Sequence, residues 1–415
     1  MNTKFSPVSG ESLSKFYNAL QSPYERDDLS ALMGIDHSTS IKPFDFISLE
    51  FVHEMNKILN LPAGSIEAFK KLIGIINSHP ELQAFAKYCH LRIFSQTGFK
   101  AGNILSPSRL IELLGTHAGM FPALLLLSGL PGTLEIYRNK GIGRQVATDT
   151  LSDLRLWMEH YYNKYDFWGL EEFKWLINHI SGRLYRLGRL QYIPKRYDGA
   201  CIAFRNNSTG EVAALSRPGI VYRGDGLIDG TNGIFDKKDS FEATYNECDE
   251  YFRGNPILAA GTALNEVIGL RKAEWKRVLS PGDIVLEVHI PAGEKLSSDL
   301  CGESFQFARG FFEKSFPSVN FAGFVCSSWL LDPQLQAILP STSNILKLQR
   351  EFYLYPVLSD DAQTFERVFG YTPTDYDKVI CKTSLQQAVL NFYRSGNQLH
   401  MGGMFLLKDD LHWGA

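Results

Sequence analysis

Through the first 185 residues, apolar side chains recur at intervals of three and four, the spacing that gives a helix one buried stripe. "DFISLEFVHEMNKIL", "SIEAFKKLIGIINS" and "ELQAFAKYCHLRIF" follow it, as does "TDTLSDLRLWMEHYYNKY", where Leu151, Leu154, Trp157, Met158 and Tyr161 share a stripe. "GLEEFKWLINHISGRLYRL" continues it with Phe173, Leu176, Ile177 and Ile180. Glycine and proline at "LPAG", "SHPE" and "GLPG" are expected to separate the helices, because neither sustains a helix interior. After Pro131-Gly132, "GTLEIYRNK" reads as a short helix that Lys140 and Gly141 terminate.

Beyond residue 185 the period becomes two. "LQYIPKR", "CIAFRN", "EVAAL" and "GIVYR" read as short strands joined by polar turns, followed by the clear strand "DIVLEVHI". A loop then leads to the helix "LCGESFQFARGFFEKSF", the strand "FAGFVCSSWLL", a helical stretch from Pro333 to Leu348 and the strand "EFYLYPVL". Two helices, "DDAQTFERVFG" and "SLQQAVLNFYRSG", precede a closing strand, "GGMFLL". The expected class is α+β: a helical N-terminal domain (1–130), a helical connecting region (131–185), and a mixed β-sheet domain flanked by helices (186–415).

Composition narrows the function classes. The 415 residues are 44% hydrophobic and 21% charged, which suits globular domains with sizeable cores. A net charge of -3 supplies no electrostatic reason to bind nucleic acid or an anionic membrane. The six cysteines lie far apart with no C-x-x-C pair, so no metal site is expected and a reducing compartment suits the chain. The N-terminal "MNTKFSPVSGESLSKF" lacks a signal-peptide core, and the longest apolar run, "MFPALLLLSGL", is too short for a bilayer. A cytoplasmic protein with no membrane contact is expected.

Several long strings carry a resemblance. "DTLSDLRLWMEHYYNKYDFWGLEEFKWLINHISGRLYRLGRLQY", "SPGDIVLEVHIPAG", "FVCSSWLLDPQLQAILPSTSNILKLQREFYLYPV" and "TSLQQAVLNFY" resemble bacterial acyltransferase-domain proteins, over residues 105 to 407. That family joins a helical N-terminal domain to a GNAT-like C-terminal domain, and the order of strands and helices after residue 185 is that of the GNAT fold. The resemblance implies transfer of an acyl group from acetyl-CoA or another acyl-CoA to a small-molecule acceptor, expected to be an amine. A GNAT-like protein that binds a metabolite or partner without catalysis is the alternative.

Two segments compete for the coenzyme A phosphates. Arg138, Gly141 and Gly143 fit the R-x-x-G-x-G pattern of GNAT enzymes, but helical periodicity on both sides makes "RNKGIG" a helix–glycine–helix joint. A phosphate loop wants a strand before it and a helix N-terminus after it. "IPAGEKLSSDLCG" has that context, so the resemblance points to Gly293, Ser297 and Ser298 as cofactor-binding residues. R-x-x-G-x-G is missing from this loop, and Glu294 and Asp299 add negative charge. Binding through other contacts and loss of coenzyme A binding both remain open.

Alternation in "DIVLEVHI" places Glu287 and His289 on one face, two residues apart. Either could take the proton of an attacking ammonium, and a half-solvated strand edge would look the same. "EFYLYPV" puts Tyr353 and Tyr355 together, and in GNAT enzymes a tyrosine on a late strand protonates the leaving thiolate, which nominates Tyr353. Aromatic packing explains most strand tyrosines and is the favoured reading here. Cys326 reads as a buried structural cysteine. Arg183, Arg186 and Arg189, three apart, would form a basic stripe on a helix, to meet a phosphate or solvent alike. "IVYRGDG" with "STS" evokes mono-ADP-ribosyltransferases, but no downstream E-x-E supports that reading.

Overall fold

The computed structural model describes residues 7–21, 33–34, 46–94, 105–291 and 296–413. Two compact units divide the chain: Met1–Leu187 with Phe311–Val319, and Gly188–Gly310 with Asn320–Ala415. Residues 131–185, expected as a connecting region, belong to the first.

The first unit is helical. Its helices include Leu49–Leu59, Ala63–Ser78 and Pro80–Phe94, separated where "LPAG" and "SHPE" foretell. Ser48 caps the first of these by accepting the Phe51 N–H at 3.2 Å, and Asn60 ends it in the left-handed conformation. "GLPG" breaks nothing. A single helix, Phe121–Asn139, runs through Pro131. Phe121 to Leu130 are buried on every face, so packing holds a helix that local propensity would interrupt. The Thr133 hydroxyl, one turn later, donates to the Ile180 carbonyl. Residues 107–139 are long and apolar enough to cross a membrane by length and composition, and that apolar window is 67% buried inside the fold.

The helix ends in a Schellman motif. Ile142 N–H reaches the Tyr137 carbonyl at 2.8 Å and Gly141 N–H the Arg138 carbonyl at 3.1 Å, with Gly141 at φ +65°. Gly143 is the N-cap of the next helix, Arg144–Tyr165. "RNKGIG" is thus a joint between helices.

The arginine stripe does not form. The helix Phe173–Ile180 stops at Ser181, Gly182 turns the chain at φ +67°, and strand β1 (Tyr185–Leu187) follows. Arg183 lies in the turn, Arg186 in β1 and Arg189 in the turn after it.

The second unit opens with β2 (Leu190–Arg196), β3 (Cys201–Asn206), β4 (Val212–Ser216) and β5 (Val221–Tyr222). Short strands that the periodicity did not foretell come next: β6 (Phe241–Glu242), β7 (Tyr245–Glu247), β8 (Tyr251–Gly254), β9 (Pro256–Leu258), β10 (Thr262–Ala263), β11 (Ile268–Arg271) and β12 (Trp275–Leu279). They hold two to five residues each, mostly exposed or half-buried, too few to declare a period. The later strands are β13 (Ile284–His289), β14 (Gly323–Ser328), β15 (Tyr353–Pro356) and β16 (Gly402–Leu407). The stretch from Pro333 to Leu348 holds two short helices, Leu335–Ile338 and Asn344–Gln349.

In the principal sheet the strands of this unit run β2–β13–β14–β16–β15, so the last strand of the chain inserts between two earlier ones. β13 and β14 are parallel; the other neighbours are antiparallel. A second sheet runs β10–β9–β4–β3–β12, and a small third one β11–β8–β7. Val285, Val325, Phe405 and Leu407 of the principal sheet share one core with Cys201, Ala203 and Ala214 of the second.

Candidate functional site

β13 pairs with β2 along six residues, from Ile284 opposite Arg196 to His289 opposite Gln191. With β14 it pairs at two positions only, Leu286 with Phe324 and Glu287 with Val325. β14 itself pairs along six residues with β16. The two parallel strands therefore part after Glu287 and Val325, where their ladder ends.

Glu287 and His289 stand on one face at this opening. The His289 Nε2 lies 3.3 Å from Glu287 Oε2, and Lys195 Nζ lies 3.4 Å from Glu287 Oε1. Lys195 pairs with Val285, two residues before Glu287, and so reaches the carboxylate along a diagonal of the same face. It also meets Asp198 at 3.1 Å. Burial works to raise the Glu287 pKa, but the hydrogen bond and charge of His289, joined by Lys195, outweigh it and pull the carboxyl down to about 2. For Lys195 burial acts to lower the pKa, and the carboxylates of Glu287 and Asp198 raise it overall.

Glu287 lines a cleft of about 300 Å³ within the second unit. Its lining includes the polar Lys195, Asp198 and Arg217 and the apolar Ile220, Ile228 and Leu358. His289 touches Glu287 without itself lining the cleft. Tyr353 is placed elsewhere: its hydroxyl donates to the Ile257 carbonyl, its ring stacks on Phe405 at 4.9 Å, and burial raises its pKa to about 12. Tyr355, which sequence reasoning grouped with Tyr353, does line the cleft, its phenol held protonated chiefly by burial. Gly403 leaves it room, since a Cβ there would stand 2.4 Å from the Tyr355 ring. Cys326 lines the cleft as a thiol pushed up to about 12 by burial, with Glu287 adding to the shift, which disfavours the thiolate a nucleophile needs.

On the cofactor side, Gly293 lies outside the described residues. Ser297 and Ser298 lead the helix Ser298–Ser315, and the Ser297 carbonyl accepts the Cys301 N–H at 3.0 Å. Arg189 is buried, and its Nη1 donates to the Pro291 carbonyl at 2.9 Å, where the chain leaves β13. The Ser304 hydroxyl accepts the Leu190 N–H at 3.1 Å and meets the Tyr192 hydroxyl at 2.9 Å. The start of β2 thus holds both the strand end and the helix that flank the expected cofactor loop. Sequence reasoning missed this role for Arg189; the arginine was visible, but its placement beside Pro291 depends on a contact 102 residues apart.

Residues 184–406, more than half of the chain, match the family described as the GNAT-like C-terminal domain. Residues 50–182 match the N-acyltransferase N-terminal domain. No curated protein matches the chain in sequence. Among solved structures, an acyltransferase in complex with decanoyl-CoA is 21% identical, with a TM-score of 0.54 over 85% of this chain and 86% of that one. An acyltransferase in complex with decanoyl-CoA and teicoplanin is 20% identical, with a TM-score of 0.57 over 96% of this chain and 99% of that one. At this identity the likeness is one of fold.

Proposed function

The chain belongs to the family of the GNAT-like C-terminal domain, and from that premise we propose that it is an acyltransferase, taking an acyl group from acetyl-CoA or a longer acyl-CoA and passing it to a small-molecule amine. The observation that carries the reading is the parting of β13 and β14 beside the Glu287–His289 pair. A parallel ladder that ends inside the sheet opens a gap between two strands, which suits an extended pantetheine arm with its two amides. The structural neighbours bound to acyl-CoA accord with that donor.

The chemistry follows from the groups at hand. The amine nitrogen attacks the thioester carbonyl, a C–N bond forms, the C–S bond breaks, and one proton must leave the nitrogen while the thiolate acquires one. Glu287, with a pKa of about 2, is too weak a base for this at neutral pH. It presents a fixed negative charge to the incoming ammonium and orients the ring of His289. We assign the acceptance of that proton to the imidazole of His289, 3.3 Å from the carboxylate. Tyr355, protonated and at the cleft, is better placed than Tyr353 to supply a proton to the thiolate. Gly293, Ser297 and Ser298 remain the proposed pyrophosphate contacts.

One observation favours binding without catalysis. R-x-x-G-x-G is missing after β13, and Glu294 and Asp299 stand there. Two measurements separate the readings: thermal stabilisation by acetyl-CoA and octanoyl-CoA, and release of free thiol when amines are added. Stabilisation with no thiol release from any amine would move the binding-only reading ahead.

A further inference from the structure

Two large apolar side chains stand in solvent beside the cleft. Phe235 is 67% exposed and Leu358 is 64% exposed, and Leu358 is also part of the cleft wall. Both meet over Gly230: a Cβ built there would lie 3.2 Å from the Phe235 ring and 3.5 Å from Leu358 Cδ1. Ile234, the residue before Phe235, is 49% exposed. Inward, the apolar surface continues through Ile220 and Ile228.

The loop that displays Phe235 is closely tied down. Asp229 Oδ1 accepts the Asp236 N–H at 2.8 Å, and Asp236 Oδ2 accepts the Gly224 N–H at 3.0 Å. Gly230 N–H reaches the Ile234 carbonyl at 2.9 Å, and Asn232 N–H the Ser359 carbonyl at 2.9 Å. The Asn232 amide adds a bond to the Leu399 carbonyl at 3.0 Å. A loop so fastened holds its phenylalanine in water, and a contiguous apolar surface kept exposed beside a polar cleft marks a binding surface.

We propose that the acceptor is an amphipathic amine: its amino group meets Glu287, and its apolar body lies along Ile220, Ile228, Leu358 and Phe235. The proposal rests on the acyl-transfer reading above. Among the described residues, the flanks of the expected cofactor loop, Pro291 and Leu296 to Ser298, do not line the cleft. The cleft lining combines charged groups with apolar side chains, which is complementary to an acceptor that carries both.

The test uses the full chain with acetyl-CoA and straight-chain primary amines from ethylamine to octylamine. Thiol release is measured, and amine binding is followed in parallel by thermal shift. The expected kcat/KM rises with amine length, by about twofold to fourfold per methylene over the first additions. Phe235→Ser and Leu358→Ser, at exposed positions where folding tolerates serine, each bring the octylamine-to-ethylamine ratio toward one. A flat series for the unaltered protein overturns the proposal, as does a ratio that both variants leave intact. If the variants change the preference between acetyl-CoA and octanoyl-CoA instead, the surface serves the donor's tail and the proposal fails. If no amine releases thiol, the acyl-transfer reading fails, and the amine-binding series still decides whether this surface takes the apolar body.

Discussion

Glu287 keeps its charge although burial opposes it, because His289 and Lys195 both lie within 3.5 Å of its oxygens. Its folded pKa of about 2 lies below the ordinary 4.5, so the ionised group stabilises the fold fully above pH 4.5. That contribution is lost as pH falls from 4.5 toward 2. Urea unfolding at pH 7, 4 and 2.5 should show the native protein losing stability relative to Glu287→Gln across that window. Parallel curves would mean that the ion pairs contribute nothing. For turnover, His289→Ala should lower the rate by about 10² to 10⁴ and Glu287→Gln by less, each leaving acyl-CoA affinity little changed. Steady-state kinetics beside a binding titration check this, and an equal loss in affinity would reassign the pair to cofactor binding.

Among the elements, glycines distinguish contacts that geometry demands from turns that are merely convenient. A Cβ on Gly402, at the start of β16, would stand 2.0 Å from the Leu331 carbonyl oxygen, a backbone atom with little freedom to retreat. Gly402→Ala should lower unfolding stability by about 1–3 kcal/mol, the usual range for overpacking, or prevent folding. Gly141 has open space around it and only its φ of +65° to defend. Gly141→Ala should cost about 1 kcal/mol and leave acyl-CoA affinity unchanged, as denaturant midpoints and a binding titration would show. A large loss of affinity would make "RNKGIG" a cofactor loop after all. This joint was legible in the sequence because glycine sat between two strongly periodic segments. Pro131 misled for the converse reason: burial on every side of Phe121–Asn139 outweighs what one proline costs a helix.

For the whole molecule, acyl-CoA binding should appear as stability. A ligand at about a hundred times its Kd adds about 2.7 kcal/mol to the folded state, so acetyl-CoA or octanoyl-CoA should raise the melting temperature in a concentration-dependent way. No shift at millimolar concentration would remove the donor and the proposed reaction with it. The change of period near residue 185 and the α+β class could be read from the chain alone, because one buried face leaves a repeat of 3.6 or 2 in the residues themselves. The same logic put Glu287 and His289 on one side of their strand. Only the tertiary structure decided that β16 inserts between β14 and β15, that β13 parts from β14 at Glu287, and that Lys195 completes the charge cluster. It also decided that Tyr355 and not Tyr353 faces the cleft, and that Arg189 holds the end of β13. Local spacing records which face of an element is buried, whereas the choice of neighbouring strand comes from contacts dozens of residues apart, where the sequence carries no period to read.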